Sequence, residues 1–271
     1  MTKSSKNSGE SGELLVKAKL IKMMLDGEKL LEGSKIKQID AGDFKSKDGS
    51  YTYNQDIDET SINEVCESGA KYDHDRIKKI LNPLGIAKAG SRMKADVIIN
   101  NISYSIKSSA DRPAIINHTF REGFSVAAIH TNVNLDFLDY EILRYWENRI
   151  PGLIGEDVDG NSRKKFNLFW SSKFKEEFRP IFNYFAFEGT GSGLSSMPAK
   201  YILEFNNPLE PKTWKIVDKD SYYDFCWDKL IFCMRHHGKK IETDTSLSAE
   251  NKKWARNING KLRGRLHVRT N

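Results

Sequence analysis

Cysteine is scarce in this chain: Cys66, Cys226 and Cys233 are the three among 271 residues. That number is odd and too small for a disulfide framework. No stretch of about eighteen apolar residues occurs, so no membrane-spanning helix is expected. The N-terminal Met1-Thr-Lys-Ser-Ser-Lys-Asn-Ser-Gly9 has no apolar centre and does not read as a secretory signal. These absences point to a cytoplasmic protein without a membrane partner. Several chemical signatures are missing too. There is no GxSxG elbow. Gly189-Thr-Gly-Ser-Gly193 follows an apolar helix pattern instead of a strand, and no Gly-Lys-Ser/Thr comes after it. A P-loop or dinucleotide fingerprint is thereby disfavoured, and a flexible helix-to-strand connection is expected. Cys233, His236 and His237 lie near Cys226, but no CxxC or further His pair completes a zinc set.

Hydrophobic residues make up 38% and aromatics 11%, ample material for a core, while 30% charged residues give a wet surface. The formal charge of +6 favours an anionic partner without naming it. The length admits one large core or two modest ones. With no internal repeat and no clean linker, a single domain over 1–271 is expected, its first ten residues frayed.

Leu14, Ala18, Ile21 and Leu25 predict a helix from Glu13 onward, and Asp73 to Leu81 a second one, stopped by Asn82-Pro83. Residues 35–63 carry little periodicity and read as a long connection. Ser125-Val-Ala-Ala-Ile-His130 reads as a strand, and Phe137 to Trp146 as a helix. Phe174, Phe178, Ile181, Phe182 and Phe185 form an apolar helix stripe in which Pro180 either kinks the helix or opens a second one. Tyr201 to Phe205 and Trp214 to Val217 read as strands, and Tyr222 to Met234 as a helix. Strands and helices interleave without regular βαβ units. The expected class is therefore α/β (α+β) with a mixed sheet.

The most informative stretch is Lys94-Ala-Asp-Val-Ile-Ile-Asn-Asn-Ile-Ser-Tyr-Ser-Ile-Lys107. It reads as two short strands joined at Asn100-Asn101. With those asparagines as the loop, Val97 to Ile99 face Ile102 to Tyr104. Asp96 then lies opposite Ser105, with Lys107 one pleat further on the same face. Paired positions are about 5 Å apart, which sets a carboxylate beside an amine on one edge of the hairpin. Such a pair is a surface salt bridge on one reading. On another, it is the minimum kit for metal-dependent phosphodiester cleavage.

The C-terminal stretch is the second strong signal. In Lys261 to Arg269, cations and apolar residues alternate, with Lys261, Arg263, Arg265, His267 and Arg269 on one face. A strand presenting a basic stripe to something anionic is expected. Just before it, Lys252, Lys253, Arg256 and Asn257 are side-chain types that contact phosphates and base edges. A solubilising tail would have no use for the apolar side.

Ala89-Gly-Ser-Arg-Met-Lys-Ala-Asp96, a strand, a turn and Ser105-Ile-Lys107-Ser-Ser together resemble the motif of Type II restriction endonucleases of the PD-(D/E)XK nuclease superfamily. The likeness is nearest to the small enzymes that cut four-base, GC-rich sites. Ala95 stands where the superfamily has proline before its first acid, and Ser105 stands in place of the second acid. The resemblance implies a restriction-endonuclease-like fold, with a mixed central sheet flanked by helices. It implies a Mg²⁺-dependent endonuclease acting on double-stranded DNA as a monomer or homodimer. On this likeness Asp96 and the Ile106 carbonyl bind the metal, Lys107 assists the water and Ser105 contributes a hydrogen bond. The missing carboxylate comes from Glu13 in the first helix, which is preferred, or from Glu122. Arg92 and Lys94 would hold phosphates, Ser108 would contact the DNA, Arg112 of Asp111-Arg112 would read bases, and residues 245–271 would form the basic recognition segment. A sequence-specific DNA-binding protein without catalysis is the alternative, because Ser105 is not an acid.

Overall fold

The computed structural model describes residues 8–31, 33–41, 58–90, 92–109, 113–148, 172–236, 243–258 and 260–270. In chain order the elements begin with α1 (Ser8–Leu25), β1 (Ile39–Asp40), α2 (Glu59–Ser68) and α3 (His74–Leu81). Then come β2 (Val97–Ile99), β3 (Ile102–Ser108), β4 (Ala114–Thr119), α4 (Arg121–Thr131), α5 (Asp136–Asn148) and α6 (Ser172–Asn183). The short strands β5 (Gly189–Thr190) and β6 (Gly193–Leu194) precede β7 (Tyr201–Phe205), β8 (Trp214–Asp218), α7 (Lys219–Trp227) and β9 (Leu230–Arg235). The last elements are α8 (Ala249–Trp254), β10 (Arg256–Ile258), β11 (Lys261–Arg263) and β12 (Arg265–Thr270). The class is mixed α/β. Among the described residues no helix is long and apolar enough to cross a membrane.

The chain, read above as one domain, packs as two compact units. One comprises the residues up to Pro113 together with Ser195–Tyr222, and the other comprises Ala114–Leu194 and Tyr223–Asn271. The first unit holds a five-stranded sheet in the order β1-β2-β3-β7-β8. β2 and β3 are antiparallel, β3 and β7 parallel, and β7 and β8 antiparallel, so the sheet is mixed. The β2–β3 loop is the expected Asn100-Asn101, with φ of 50° and 63°. Positive φ at both central residues makes the tight turn whose twist suits a two-residue hairpin, and asparagine tolerates it. Asn100 also ties the turn to the approach to β1. Its Oδ1 accepts from the N–H groups of Lys37 (2.8 Å) and Gln38 (3.2 Å), and its Nδ2 donates to the Lys35 carbonyl (2.9 Å).

Helix α1 is buried on nearly every side: Leu14, Leu15, Val16, Ala18, Leu20 and Ile21 all lie in one core with α2, α3 and the sheet. A helix apolar all round belongs inside. The stripe stops short of its expected end, since Leu25 is 42% exposed. α3 begins at an Asp73 cap whose side chain accepts from the Arg76 N–H, as its sequence suggests. α2 begins inside the tract read as a long connection and runs five residues past it. Its buried residues Ile62 and Val65 are too few to stand out by periodicity, although the Asp58 cap was there to be read.

The second unit has a three-stranded sheet, β4-β12-β9, and two small hairpins, β5-β6 and β10-β11. Here two expectations are corrected. Residues 125–130 lie inside helix α4, not in a strand. Arg121, Phe124 and Ala127 are its buried positions, a spacing of three that sets the helix, while Ile129 is 79% exposed. Tyr222 to Met234 is not one helix: α7 ends at Trp227 and the buried run Leu230 to Met234 becomes β9. Branched and aromatic residues packed on both sides favour a strand once they sit beside β12. Pro180 lies within α6, and a π-helical turn, Tyr184–Glu188, follows that helix. The 189–193 glycine stretch forms the β5-β6 hairpin, where Gly191 packs closely against Gly123: a Cβ on either would lie 3.0–3.2 Å from the other's Cα. Trp254 is fully buried, 5.0 Å from the Phe124 ring, and donates its indole N–H to Asp139 at 2.6 Å.

Candidate active site

Asp96 immediately precedes β2, and its N–H extends the ladder to the Tyr104 carbonyl at 2.8 Å. Val97 pairs with Tyr104, so Asp96 falls opposite Ser105 as the two-residue turn dictates. The Asp96 Oδ2 atom accepts from the Ser105 hydroxyl at 3.0 Å and from the Ile106 N–H at 2.7 Å. The N–H and C=O of one strand residue point to the same edge, so the Ile106 carbonyl is directed to the Asp96 side. Ser105 is buried and Lys107, on the same face by alternation, is half-buried.

The chain entering Asp96 is clamped. The Lys94 N–H donates to the Met197 carbonyl and the Ser195 hydroxyl, each at 3.0 Å, and the Ala95 N–H donates to the same carbonyl at 3.0 Å. Ser195 is itself fixed by accepting the Met197 N–H at 3.0 Å. Sequence reasoning missed this clamp, because residues a hundred positions apart carry no local signal of one another.

Glu13 arrives from α1. A Cβ on Gly12 would lie 2.6 Å from Cζ of Phe205, so the absence of a side chain there lets the helix touch β7. Phe205 pairs with Ser108, next to Lys107, which brings Glu13 to this end of the sheet. Burial raises the Glu13 carboxyl above the usual carboxylate range. The Asp96 charge pushes the same way, while Lys17 and Lys107 oppose it. Lys17 is completely buried and donates to Glu13 Oε1 at 2.8 Å and to the Ala87 carbonyl at 2.8 Å. Its signal in the sequence was a Glu-to-Lys i,i+4 pair set inside an apolar stripe. Burial, with Lys107 adding repulsion, lowers the Lys94 amine to about 8, and Asp96 offsets part of this. Glu13, Lys17, Lys94, Asp96 and Lys107 thus share one electrostatic neighbourhood.

Arg92 is exposed and Ser108 is buried. Arg112 lies outside the described residues. Glu122 belongs to the second unit, where its carboxylate accepts from Asn251 Nδ2 at 2.8 Å and its N–H donates to Asn251 Oδ1 at 3.1 Å. The C-terminal stretch also belongs to the second unit, and its expected single strand breaks at Gly264 into β11 and β12. β12 is the middle strand of its sheet, so both of its edges are paired. Arg263 is buried and donates to the Met234 carbonyl at 3.3 Å, and His267 is buried with its ring centroid 4.8 Å from that of His118. The Arg265 guanidinium stacks 3.8 Å from the centre of the Phe120 ring, and Arg269 is half-buried. Lys252, Lys253, Asn257 and Lys261 are exposed and Arg256 is half-buried. Lys253 pairs with Glu250 at 3.0 Å.

The donor set near Asp96 comprises two carboxylates and a backbone carbonyl, all hard oxygens. Among the described residues no group of three or more His, Cys, Asp or Glu gathers into a metal site. That composition suits Mg²⁺, which keeps several waters and takes one or two carboxylates together with substrate phosphate oxygens. It does not suit zinc, which prefers nitrogen and sulfur. The chain matches no family model, no curated protein and no solved structure.

Proposed function

We propose that this protein is a Mg²⁺-dependent, sequence-specific endonuclease that hydrolyses phosphodiester bonds of double-stranded DNA, with a restriction-endonuclease-like core in its first unit. The observation that carries this reading is the meeting of Glu13, from a helix, with Asp96 and Lys107, from a hairpin. Two carboxylates held close enough to disturb one another, with lysines beside them, form a site for a hard cation next to an anion. Bound there, Mg²⁺ would supply an activated water and neutralise charge on the phosphate oxygens. Asp96 and Glu13 would hold it, with the Ile106 carbonyl as a further oxygen.

The remaining work falls to the chain's own groups. Ser105 and the Ile106 N–H fix the Asp96 carboxylate. Lys107 places a positive charge and N–H donors where the attacking water meets the phosphate, and Lys94 adds a second cation for the backbone. Arg92 and the exposed Lys252, Lys253, Asn257 and Lys261 are suited to phosphate contact. Incubation of plasmid DNA with the protein in Mg²⁺, and in excess chelator, tests this. Discrete fragments with defined ends in Mg²⁺ only are expected; intact plasmid in every divalent metal would remove the proposal. A second reading, a DNA-binding protein without catalysis, is favoured by Ser105, which offers a hydroxyl where a carboxylate would ligate. It predicts salt-sensitive binding and no cut strand.

A further inference from the structure

We propose that Lys17 is a positioning residue, which holds Glu13 as a metal ligand and couples it to the loop that delivers Asp96. This rests on the endonuclease reading above. The position makes no sense as a stability device. Lys17 is 0% exposed, and its neighbours Leu14, Ala18 and Ile21 are all in the core. Burying an ammonium and a carboxylate costs several kcal/mol per ion, and well-packed apolar residues at the same sites are often as stable or more so. The helix would be served better by two leucines.

Geometry says what the pair does instead. The ammonium takes Glu13 Oε1 at 2.8 Å and the Ala87 carbonyl at 2.8 Å. Ala87 lies on the segment between α3 and β2 that runs on to Lys94, Ala95 and Asp96. One cation therefore grips the helix glutamate with one bond and the approach to the hairpin acid with the other. Bonding to Oε1 restrains the carboxylate on the helix that carries it. Partners that orient a ligand in this way typically matter by about 10- to 100-fold in metal affinity.

The test is a calorimetric titration of the full-length protein with Mn²⁺ alone, an oxygen-seeking stand-in for Mg²⁺, alongside circular dichroism to establish folding. Wild type is expected to bind and Glu13→Gln to bind much more weakly but measurably. Lys17→Met is expected to stay folded and bind about 10- to 100-fold more weakly, with no further loss when it is added to Glu13→Gln. Wild-type affinity in Lys17→Met overturns the proposal and leaves the metal site standing, as does an equal loss from Lys17→Met in both backgrounds. Should Lys17→Met not fold, Lys17→Gln replaces it under the same criteria. A wild-type protein that binds no Mn²⁺ overturns the metal site, and this inference with it.

Discussion

The Ser105 hydroxyl donates to Asp96 Oδ2 at 3.0 Å, on the same oxygen that the Ile106 N–H reaches at 2.7 Å. Both bonds fall on one atom and restrain the carboxylate. The serine standing where an acid was expected therefore orients the remaining acid. Ser105→Ala is expected to lower cleavage about 10-fold or more without abolishing it, and to cost about 1 kcal/mol in unfolding free energy. Single-turnover cleavage and denaturant unfolding measure the two effects; unchanged cleavage would deny Ser105 this role.

The two glutamates are separable by substitution. Glu13→Gln removes the charge that pairs with the fully buried Lys17 ammonium, so the protein should lose stability as well as cleavage. Glu122→Gln weakens a hydrogen bond to Asn251 in the second unit and should cost about 1 kcal/mol of stability, leaving cleavage intact. The opposite pattern would transfer the ligand role to Glu122.

The hairpin was legible because its information is local: alternation, a two-residue asparagine turn and an acid four residues before the loop fix which residues face each other. The apolar run of α1 and the periodic α3 and α5 were legible for the same reason. Long-range facts were not. Nothing in residues 125–130 announces that Phe124 and Ala127 would be the buried pair, so a β-branched run was read as a strand. The alternating C-terminus showed strand character but not its place, because period two is the same for an exposed edge and a sheet centre. Lys17, Gly12 and Ser195 matter through partners distant in sequence, and the site's electrostatics became visible only with those partners in place.

The turn itself carries a stability prediction. Asn101 sits at φ 63°, and glycine adopts that conformation without strain, so Asn101→Gly should stabilise the protein by about 0.5 kcal/mol. Asn100→Gly at the neighbouring position loses three hydrogen bonds to residues 35–38 and should destabilise it by about 1–2 kcal/mol. Thermal unfolding of the two variants should move in opposite directions.

Lys94 makes the fold pH-dependent. Its amine falls to about 8 from an ordinary 10.5, so the unfolded chain binds more protons between those values and stability rises with pH across that window. Below 8 the full cost of the charged, buried amine is present. Lys94→Met should accordingly stabilise the protein at neutral pH, and the advantage should shrink as the pH rises toward 10.5. Denaturant midpoints measured across this range check it; a constant difference between the two proteins would show that Lys94 is not perturbed.

Cleavage of double-stranded DNA in Mg²⁺ by wild type and by Lys107→Ala, with folding of the variant established by circular dichroism, tests the central claim most directly. Lys107 is half-buried near the end of its strand. Discrete fragments from wild type and intact DNA from the folded variant are the predicted result. The same fragments from both proteins would contradict the assignment of the Asp96–Lys107 hairpin as a nuclease centre.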